Sequence, residues 1–168
     1  MIAGIVRRYG AAIAVRNTWG DGLYLVFHTV RAAGLFALEL RDTVANTAWH
    51  EQGLPTDLTL RIALHAGPVF GCTDPVTGQT TYTGTHVSRA ARLEPKTPPG
   101  EVYASEGFAA LAAVEQVQEF VCQYVKQLEW AKHYGTFPTY VVRQATRSPF
   151  HARDSEAGSV AATPAPGS

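Results

Sequence analysis

The feature of the sequence that most constrains the fold is a short polar turn between two runs of strand-forming residues. Residues Asn17–Phe27 read N-T-W-G-D-G-L-Y-L-V-F. An Asp-Gly pair between such runs is typical of a tight β-hairpin, because both residues accept the positive φ that the turn requires. The sequence therefore predicts a hairpin from residues 11–18 and 23–27, with the carboxylate of Asp21 at its tip. That carboxylate either only forms the turn or also serves a site.

The order of the other predicted elements indicates the fold class. Helical spacing of apolar residues predicts a helix at 1–9, which Gly10 ends, and the longest helix from Thr29 to about Gln52. Alternation of residue types predicts a buried strand at 58–69. Turn residues and further patterns then predict a strand at 79–82, a helix at 84–94, a strand at 101–104, a helix that Ser105 caps and that runs to about Ala113, and strands at 118–127 and 139–143. This order predicts an α+β sandwich with helices packed on one mostly antiparallel sheet.

Length and composition limit the class of protein. The 168 residues are enough for one domain with its own core. Fourteen basic residues balance fourteen acidic ones, so no overall charge draws the chain to nucleic acid or to an anionic membrane, and we expect neither as a partner. Cys72 and Cys122 lack metal-ligand spacing and a secreted disulfide pattern, which favours reduced thiols and a cytoplasmic location. Residues 145–168 offer almost nothing apolar to bury, so we expect a domain at 1–144 followed by a disordered tail.

Two further stretches join the hairpin in a specific pattern. Residues Leu60–Val69 read L-R-I-A-L-H-A-G-P-V, and residues Tyr82–Glu94 read Y-T-G-T-H-V-S-R-A-A-R-L-E. In this order the three stretches resemble the class III adenylyl and guanylyl (nucleotidyl) cyclase catalytic domain, and the run Leu128–Tyr140 is similar to the end of its bacterial members. The resemblance covers residues 1 to about 143. It implies a ferredoxin-like core and, in intracellular signalling, conversion of a nucleoside triphosphate to a 3′,5′-cyclic nucleotide and pyrophosphate.

The resemblance also implies roles for individual residues. Asp21 matches one of the two aspartates that hold two Mg²⁺ or Mn²⁺ ions in the family, because these ions need hard oxygen ligands. Arg92 matches an arginine that acts on the transition state, and Ser88 stands where the family usually has its partner asparagine. Four residues apart on the predicted helix, the two share one face. Lys132 matches a triphosphate-binding lysine. Alternatively, Arg92 pairs with a nearby acid and Lys132 is simply solvated.

Two positions bear on the choice of base. Asn17 lies four residues before the hairpin aspartate, where adenylyl cyclases usually have Lys and guanylyl cyclases Glu. Thr81 occupies the second selecting position and resembles adenylyl-type members, which use Asp or Thr there. An asparagine amide offers both a donor and an acceptor. The base therefore stays open, with ATP as the default substrate.

Two other kinds of residue are interpreted as structural. His65 invites a general-base role, but a lone histidine on a strand is commonly a hydrogen-bonded core residue. Trp19, Trp49 and Trp130 are scattered along the chain without a shared basic groove. We therefore expect them to be packing anchors rather than a stacking platform.

The start of the chain leaves two functions open. In the family a first strand with the other metal aspartate precedes the first helix, and the residues before Gly10 do not supply it. The chain is either a fragment or has lost this strand, and we favour a fragment because loss would expose strand edges. The first function is a cyclase with its site at a dimer interface, where one subunit supplies metal acids and the other the transition-state pair. The second is a non-catalytic cyclase-homology domain that binds nucleotide or a partner cyclase. One carboxylate cannot hold two divalent ions, so we expect this chain alone to be weak or inactive.

Overall fold

The computed structural model describes residues 1–145. In chain order its elements are α1 (Ile2–Arg8), β1 (Ile13–Trp19), β2 (Gly22–Phe27), α2 (Val30–Ala45), β3 (Ile62–Leu64), β4 (Phe70–Thr73), β5 (Thr80–Thr83), α3 (Thr85–Leu93), β6 (Val102–Ser105), α4 (Glu106–Val114), β7 (Phe120–Glu129) and β8 (Thr136–Gln144). Short 3-10 helices lie at Gly10–Ala12, Trp49–Gln52, Glu94–Lys96 and Ala131–His133. Apart from residue 145, the predicted disordered tail lies outside the described residues.

The central sheet has the strand order β3-β6-β8-β7. Strand β3 runs parallel to β6, whereas β8 is antiparallel to both of its neighbours. A shift in register between Tyr124 and Lys126 marks a bulge in the long strand β7. Helices packed on this mostly antiparallel sheet confirm the predicted α+β sandwich.

Two hairpins stand apart from the central sheet, one made by β1 and β2 and the other by β4 and β5. Trp19 pairs with Gly22, so the turn of the first hairpin consists of Gly20 and Asp21. Gly20 has a φ of 63°, and it alone of the residues at this tip has a positive φ. The predicted hairpin is confirmed, but its turn chemistry is wrong. The positive φ comes from the glycine before Asp21, as in a turn that needs only one such residue.

One face of the sheet packs against α2 and α4 to form the main core. Its buried residues are Val30, Ala33, Ala37 and Leu38 of α2, Phe108 and Ala112 of α4, and Leu64, Val102, Ala104, Phe120 and Val142 of the sheet. Gly34 brings α2 close, because a Cβ at this position would lie 2.3 Å from the Phe120 ring. Successive strand residues point to opposite faces, so His65, which follows Leu64, points away from this core. Helix α3 packs there against β3 and β6.

Helix α2 ends earlier than the sequence predicts. Its last helical residue is Ala45. The Thr47 hydroxyl donates to the carbonyl oxygen of Thr43 at 2.6 Å, and the Trp49 indole Nε1 donates to that of Val44 at 2.8 Å. These side chains satisfy carbonyls that a continuing helix would bond to its own backbone. The predicted helix is therefore too long, and its last part is a separate 3-10 helix.

Strand β3 is shorter than the strand predicted at 58–69. It pairs with β6 only from Ile62, opposite Val102, to Leu64, opposite Ala104. One residue later β6 reaches Ser105, whose side chain caps α4 by accepting a hydrogen bond from the Phe108 amide. The ladder ends because its partner strand becomes a helix. The predicted cap at Ser105 is confirmed.

Candidate active site

Helix α3 carries the two residues that the sequence assigns to the transition state. Gly84 precedes the helix with a φ of 126°, a backbone conformation that favours glycine. Its carbonyl accepts the Ser88 amide, which fixes the first turn. Ser88 is exposed and Arg92, one turn later, is half-buried. The structure therefore places both residues on one helix, with the arginine partly shielded from solvent.

Arg92 lies over an aromatic ring beside the turn that holds Lys132. Its guanidinium carbon is 5.9 Å from the centre of the Tyr134 ring. Its Nε is buried and has no hydrogen-bond partner. The Nη atoms carry the rest of the cationic fork, which suits the paired oxygens of a phosphate. The alternative prediction is that Arg92 pairs with a nearby acid. Among residues 1–145, Arg92 forms no ion pair.

The Lys132 turn is anchored by a buried tryptophan. Trp130 is 2% exposed, and its indole donates to the Thr139 hydroxyl at 3.3 Å. Its amide donates to the carbonyl of Gly135 at 2.9 Å, which closes the turn. Lys132 is exposed and has a φ of 61°, a left-handed conformation that is strained for a side chain of this kind. Helix α3 packs against this turn, so the structure brings Arg92 and Lys132 to one side of the molecule.

The β1–β2 hairpin carries a second group of predicted site residues. Asp21 is at its tip and exposed. Asn17 is exposed on β1, where its Oδ1 accepts a hydrogen bond from the Thr18 amide at 2.8 Å. Strand β1 lies beside β5, which carries the half-buried Thr81. The hairpin and β5 thus carry the base-selecting positions and Asp21 on neighbouring strands.

Two residues of α3 that the sequence analysis did not single out, His86 and Arg89, lie on the same helix as Arg92 and close to His65. Nε2 of His65 lies 2.8 Å from Nδ1 of His86, and Nδ1 of His65 lies 2.6 Å from Oγ of Ser105. Burial, reinforced by the neighbouring His86 and the Arg89 charge, lowers the pKa of His65 to about 4. The sequence held a signal for His86 and Arg89. Together with Arg92 they recur every three residues along α3, which indicates a shared side of the helix.

His65 therefore has the structural role that the sequence predicts. Its ring is half-buried and bonds through both nitrogens to protein groups. A ring with both nitrogens engaged has no free lone pair to accept a proton from a substrate. Of the three tryptophans, Trp130 is a buried anchor and Trp49 is half-buried against the second core cluster, around Phe36.

Comparison with known proteins identifies the family. The family model described as the adenylate and guanylate cyclase catalytic domain matches residues 17–144. The chain belongs to this cyclase family. Members of the family generally use divalent metal ions. Among curated proteins no match is found.

Solved structures of cyclase domains share the fold. The guanylate cyclase domain of RhGC from Catenaria anguillulae, in complex with GTP, aligns with a TM-score of 0.69 and 22% identity over 86% of this chain and 79% of that one. The adenylyl cyclase CyaB from P. aeruginosa aligns at 0.68 and 19% identity, over 87% and 78%. A guanylyl cyclase domain of the RhoGC fusion protein from Blastocladiella emersonii, described as a non-canonical dimer, aligns at 0.66 and 23% identity, over 86% and 78%.

The donor groups of residues 1–145 do not by themselves fit the metal pair of a cyclase. Asp21 is exposed, and residues 1–145 contain no group of three or more His, Cys, Asp or Glu side chains that could hold a metal ion. A divalent cation bound by one carboxylate keeps most of its water and is held weakly. In the same part of the chain, no helix is both long and apolar enough to cross a membrane.

Proposed function

We propose that this chain forms half of a nucleotidyl cyclase site, which converts a nucleoside triphosphate to a 3′,5′-cyclic nucleotide and pyrophosphate. The observation that carries the proposal is the position of Arg92. Its half-buried guanidinium lies 5.9 Å from the Tyr134 ring, has no carboxylate partner among residues 1–145, and belongs to a helix packed against the Lys132 turn. A cation held in place without a counter-charge is suited to a phosphate.

The reaction defines what these residues would do. The ribose 3′-oxygen attacks the α-phosphorus, the bond from this phosphorus to the bridging oxygen of the β-phosphate breaks, and pyrophosphate leaves while the 3′-hydroxyl proton passes to solvent. Negative charge grows on the α-phosphate and the leaving group. Arg92, with the Ser88 hydroxyl one turn away, would donate to the α-phosphate oxygens, and Lys132 would hold the terminal phosphates. Donors fixed before the reaction stabilise such charge most effectively.

A second subunit would complete the site. In this chain Asp21 and Asn17 lie on the hairpin, whereas Arg92 and Lys132 lie on the side formed by α3 and the Lys132 turn. A symmetric dimer that places the hairpin of one subunit against α3 of the other would unite the two groups twice. The cyclase domain from Blastocladiella emersonii, whose dimer is described as non-canonical, supports self-association of this fold by analogy but not this particular arrangement.

The proposed site also needs a second acidic ligand. Within residues 1–145, β2 is hydrogen-bonded only to β1, and β3 only to β6, although both strands pack on α2. Each therefore presents a free edge beside the same helix, to which a further strand could bond. A strand in this place that carries an aspartate would supply the acid that Asp21 lacks.

We keep ATP as the default substrate, because the hairpin is compatible with adenine. The Oδ1 of Asn17 accepts the Thr18 amide, and the NH₂ group of this side chain is available as a donor. An NH₂ donor can serve the N1 acceptor of adenine, and the hydroxyl of Thr81 can accept from its exocyclic amine. Asn17 would thus replace the Lys that adenylyl-type members usually have at this position. Thr81 would act as the Asp or Thr that they have at the second position.

One observation favours a second candidate function. Because residues 1–145 do not gather three metal-binding side chains, a regulatory domain that binds nucleotide without turning it over fits the same α3 residues. Binding and turnover therefore have to be measured separately.

Nucleotide binding is the first test. Titration calorimetry of the 168-residue chain with ATP and GTP, in the presence of Mn²⁺, should show binding that Arg92→Ala and Lys132→Ala each weaken about tenfold or more. The matched controls are Arg7→Ala on α1 and Lys126→Ala on β7, both exposed. Equal losses in the controls would show a general effect of charge and would contradict the site.

Turnover is the second test, on a chain extended by an N-terminal strand that bears an aspartate. Cyclic nucleotide should form, and Asp21→Ala or Arg92→Ala should each reduce the rate about 100-fold or more. Mixing these two inactive variants should restore up to about a quarter of the activity, because a mixed symmetric dimer contains one intact site. Robust turnover by the unextended chain would overturn the two-acid argument. If the extended chain forms a dimer but makes no cyclic nucleotide from any nucleoside triphosphate, the result would contradict cyclase activity and favour the regulatory function.

A further inference from the structure

Arg89 lies on α3 one turn before Arg92 and occupies a matching position. Its guanidinium carbon is 5.9 Å from the centre of the Phe137 ring, the same distance that separates Arg92 from the Tyr134 ring. The two rings are themselves neighbours, with centres 6.1 Å apart. Two cationic side chains therefore lie side by side over two adjoining aromatic rings.

The charge of Arg89 has no counter-charge in the described chain. Arg41 and Arg143, which are also half-buried, each form an ion pair with a carboxylate. Arg89 forms no ion pair among residues 1–145, and its Nε is buried without a hydrogen-bond partner. A partly buried charge is unfavourable unless an opposite charge or hydrogen bonds compensate it.

The neighbours of Arg89 cannot supply that compensation. The nearby His65 is neutral at pH 7, because its pKa is lowered to about 4 by burial and by the neighbouring His86 and Arg89. The Phe137 ring offers only the weak attraction of its face. Within residues 1–145 nothing supplies the counter-charge of Arg89, and a bound anion would provide it.

We propose that Arg89 is a second polyphosphate-binding residue, which holds phosphate oxygens of the nucleotide beside Arg92. This inference rests on the proposed function, since it assigns the same ligand to the same side of α3. Two guanidinium groups one helical turn apart fit a ligand with adjoining phosphate groups better than they fit a single phosphate. Arg89 thus extends the anion site along α3 from the position of Ser88 and Arg92 towards His86.

Inorganic pyrophosphate is the probe that separates this inference from cyclase activity. Calorimetric titration of the 168-residue chain should show that Arg89→Gln weakens pyrophosphate binding about tenfold. Arg89→Lys keeps the charge but loses the two-pronged fork, so its loss should be intermediate. Arg7→Gln, which removes an exposed arginine on α1, is the matched control and should bind within about twofold of the parent. Thermal unfolding of each variant checks that it folds. If Arg89→Gln does not fold, the pyrophosphate affinity of Arg89→Lys provides the test.

The possible outcomes separate the two proposals. Weaker pyrophosphate and triphosphate binding by Arg89→Gln, in a chain that binds nucleoside triphosphates but does not convert them even when extended by an aspartate-bearing strand, would support the Arg89 site and contradict the proposed function. Unchanged binding by a folded Arg89→Gln variant, with binding weakened by Arg92→Ala, would overturn the Arg89 site and leave the proposed function. Absence of pyrophosphate binding by the parent chain would also overturn it, as would equal weakening by Arg7→Gln.

Discussion

His65 and His86 face each other with nearly parallel rings, 5.1 Å between centres, and a bond of 2.8 Å between Nε2 of His65 and Nδ1 of His86. The second nitrogen of His65 meets Ser105, the residue that caps α4. The bond needs a proton on one of the two facing nitrogens and a lone pair on the other. If both nitrogens carried a proton, neither could accept and the bond would be lost. The pair therefore joins α3 to the central sheet as long as the two rings are not both charged.

Stability should fall in acid because of His65. Its pKa in the folded chain is about 4, lowered first by burial and then by the neighbouring His86 and Arg89. The unfolded chain takes up this proton at about pH 6.5, so it binds more protons than the folded chain between these values. The contribution is complete above about pH 6.5, declines as the pH falls towards 4, and is absent below that.

Urea unfolding at about pH 7, 5.5 and 4 measures this effect, which should amount to about 1–2 kcal/mol because the ring is only half-buried. The variant His65→Asn removes the titrating group, and its stability should depend less on pH. His50→Asn, at an exposed position, is the control. The same pH dependence in His65→Asn and in the parent would contradict the prediction.

Gly67→Ala should displace His86 without changing either histidine. A Cβ at Gly67 would lie 2.0 Å from Nδ1 of His86, far inside contact distance. The ring would have to leave its bond to His65, and we expect a loss of about 1–3 kcal/mol in the free energy of unfolding. Gly4→Ala is the control, since nothing lies within 4 Å of its added Cβ in α1. There the change should be neutral or stabilising by up to about 1 kcal/mol. A Gly67→Ala protein as stable as the parent would show that this part of α3 is loosely held.

The two cysteines should react at different rates. Cys72 is exposed on β4, whereas burial raises the pKa of the half-buried Cys122 to about 11. The thiolate is the reactive form. A thiol reagent at about pH 8 should therefore modify the exposed Cys72 of the folded chain quickly and Cys122 slowly. Mass spectrometry after digestion identifies each site. Rapid modification of Cys122 under native conditions would mean that β7 opens readily.

The isolated chain should self-associate through the side that carries the hairpin. The proposed site needs Asp21 of the β1–β2 hairpin and Arg92 of α3, which a dimer would bring together across its interface. Sedimentation velocity over a dilution series should show a dimer or a concentration-dependent mixture. A monomer at every concentration would instead favour a different cyclase chain as the partner.

The general architecture could be predicted because its signals are local. The capping Ser105 precedes the apolar run of α4, and the glycine-bounded tip of the first hairpin separates two strand-forming runs. The ends of α2 and β3 could not be predicted in this way. They depend on Trp49 reaching back to a helix carbonyl and on β6 turning into a helix, which are tertiary effects.

The candidate site was predictable only as far as the motif extends. Arg92 and Lys132 were singled out by resemblance, and the structure brings their elements together. The roles of His86 and Arg89 depend on what they meet across space, which are His65 and Phe137. Their three-residue spacing from Arg92 indicates a shared side of α3 but does not say which groups that side meets.

The backbone at Lys132 has a consequence for how this domain could be engineered. Lys132 and His133 have φ values of 61° and 52°, a conformation that glycine adopts freely and that costs other residues about 1 kcal/mol or more each. Replacing Lys132 with glycine should therefore stabilise the fold while it removes the cation that we propose binds the triphosphate. A search for heat-resistant variants would select against nucleotide affinity at this position, and the two properties would have to be improved at different places in the chain.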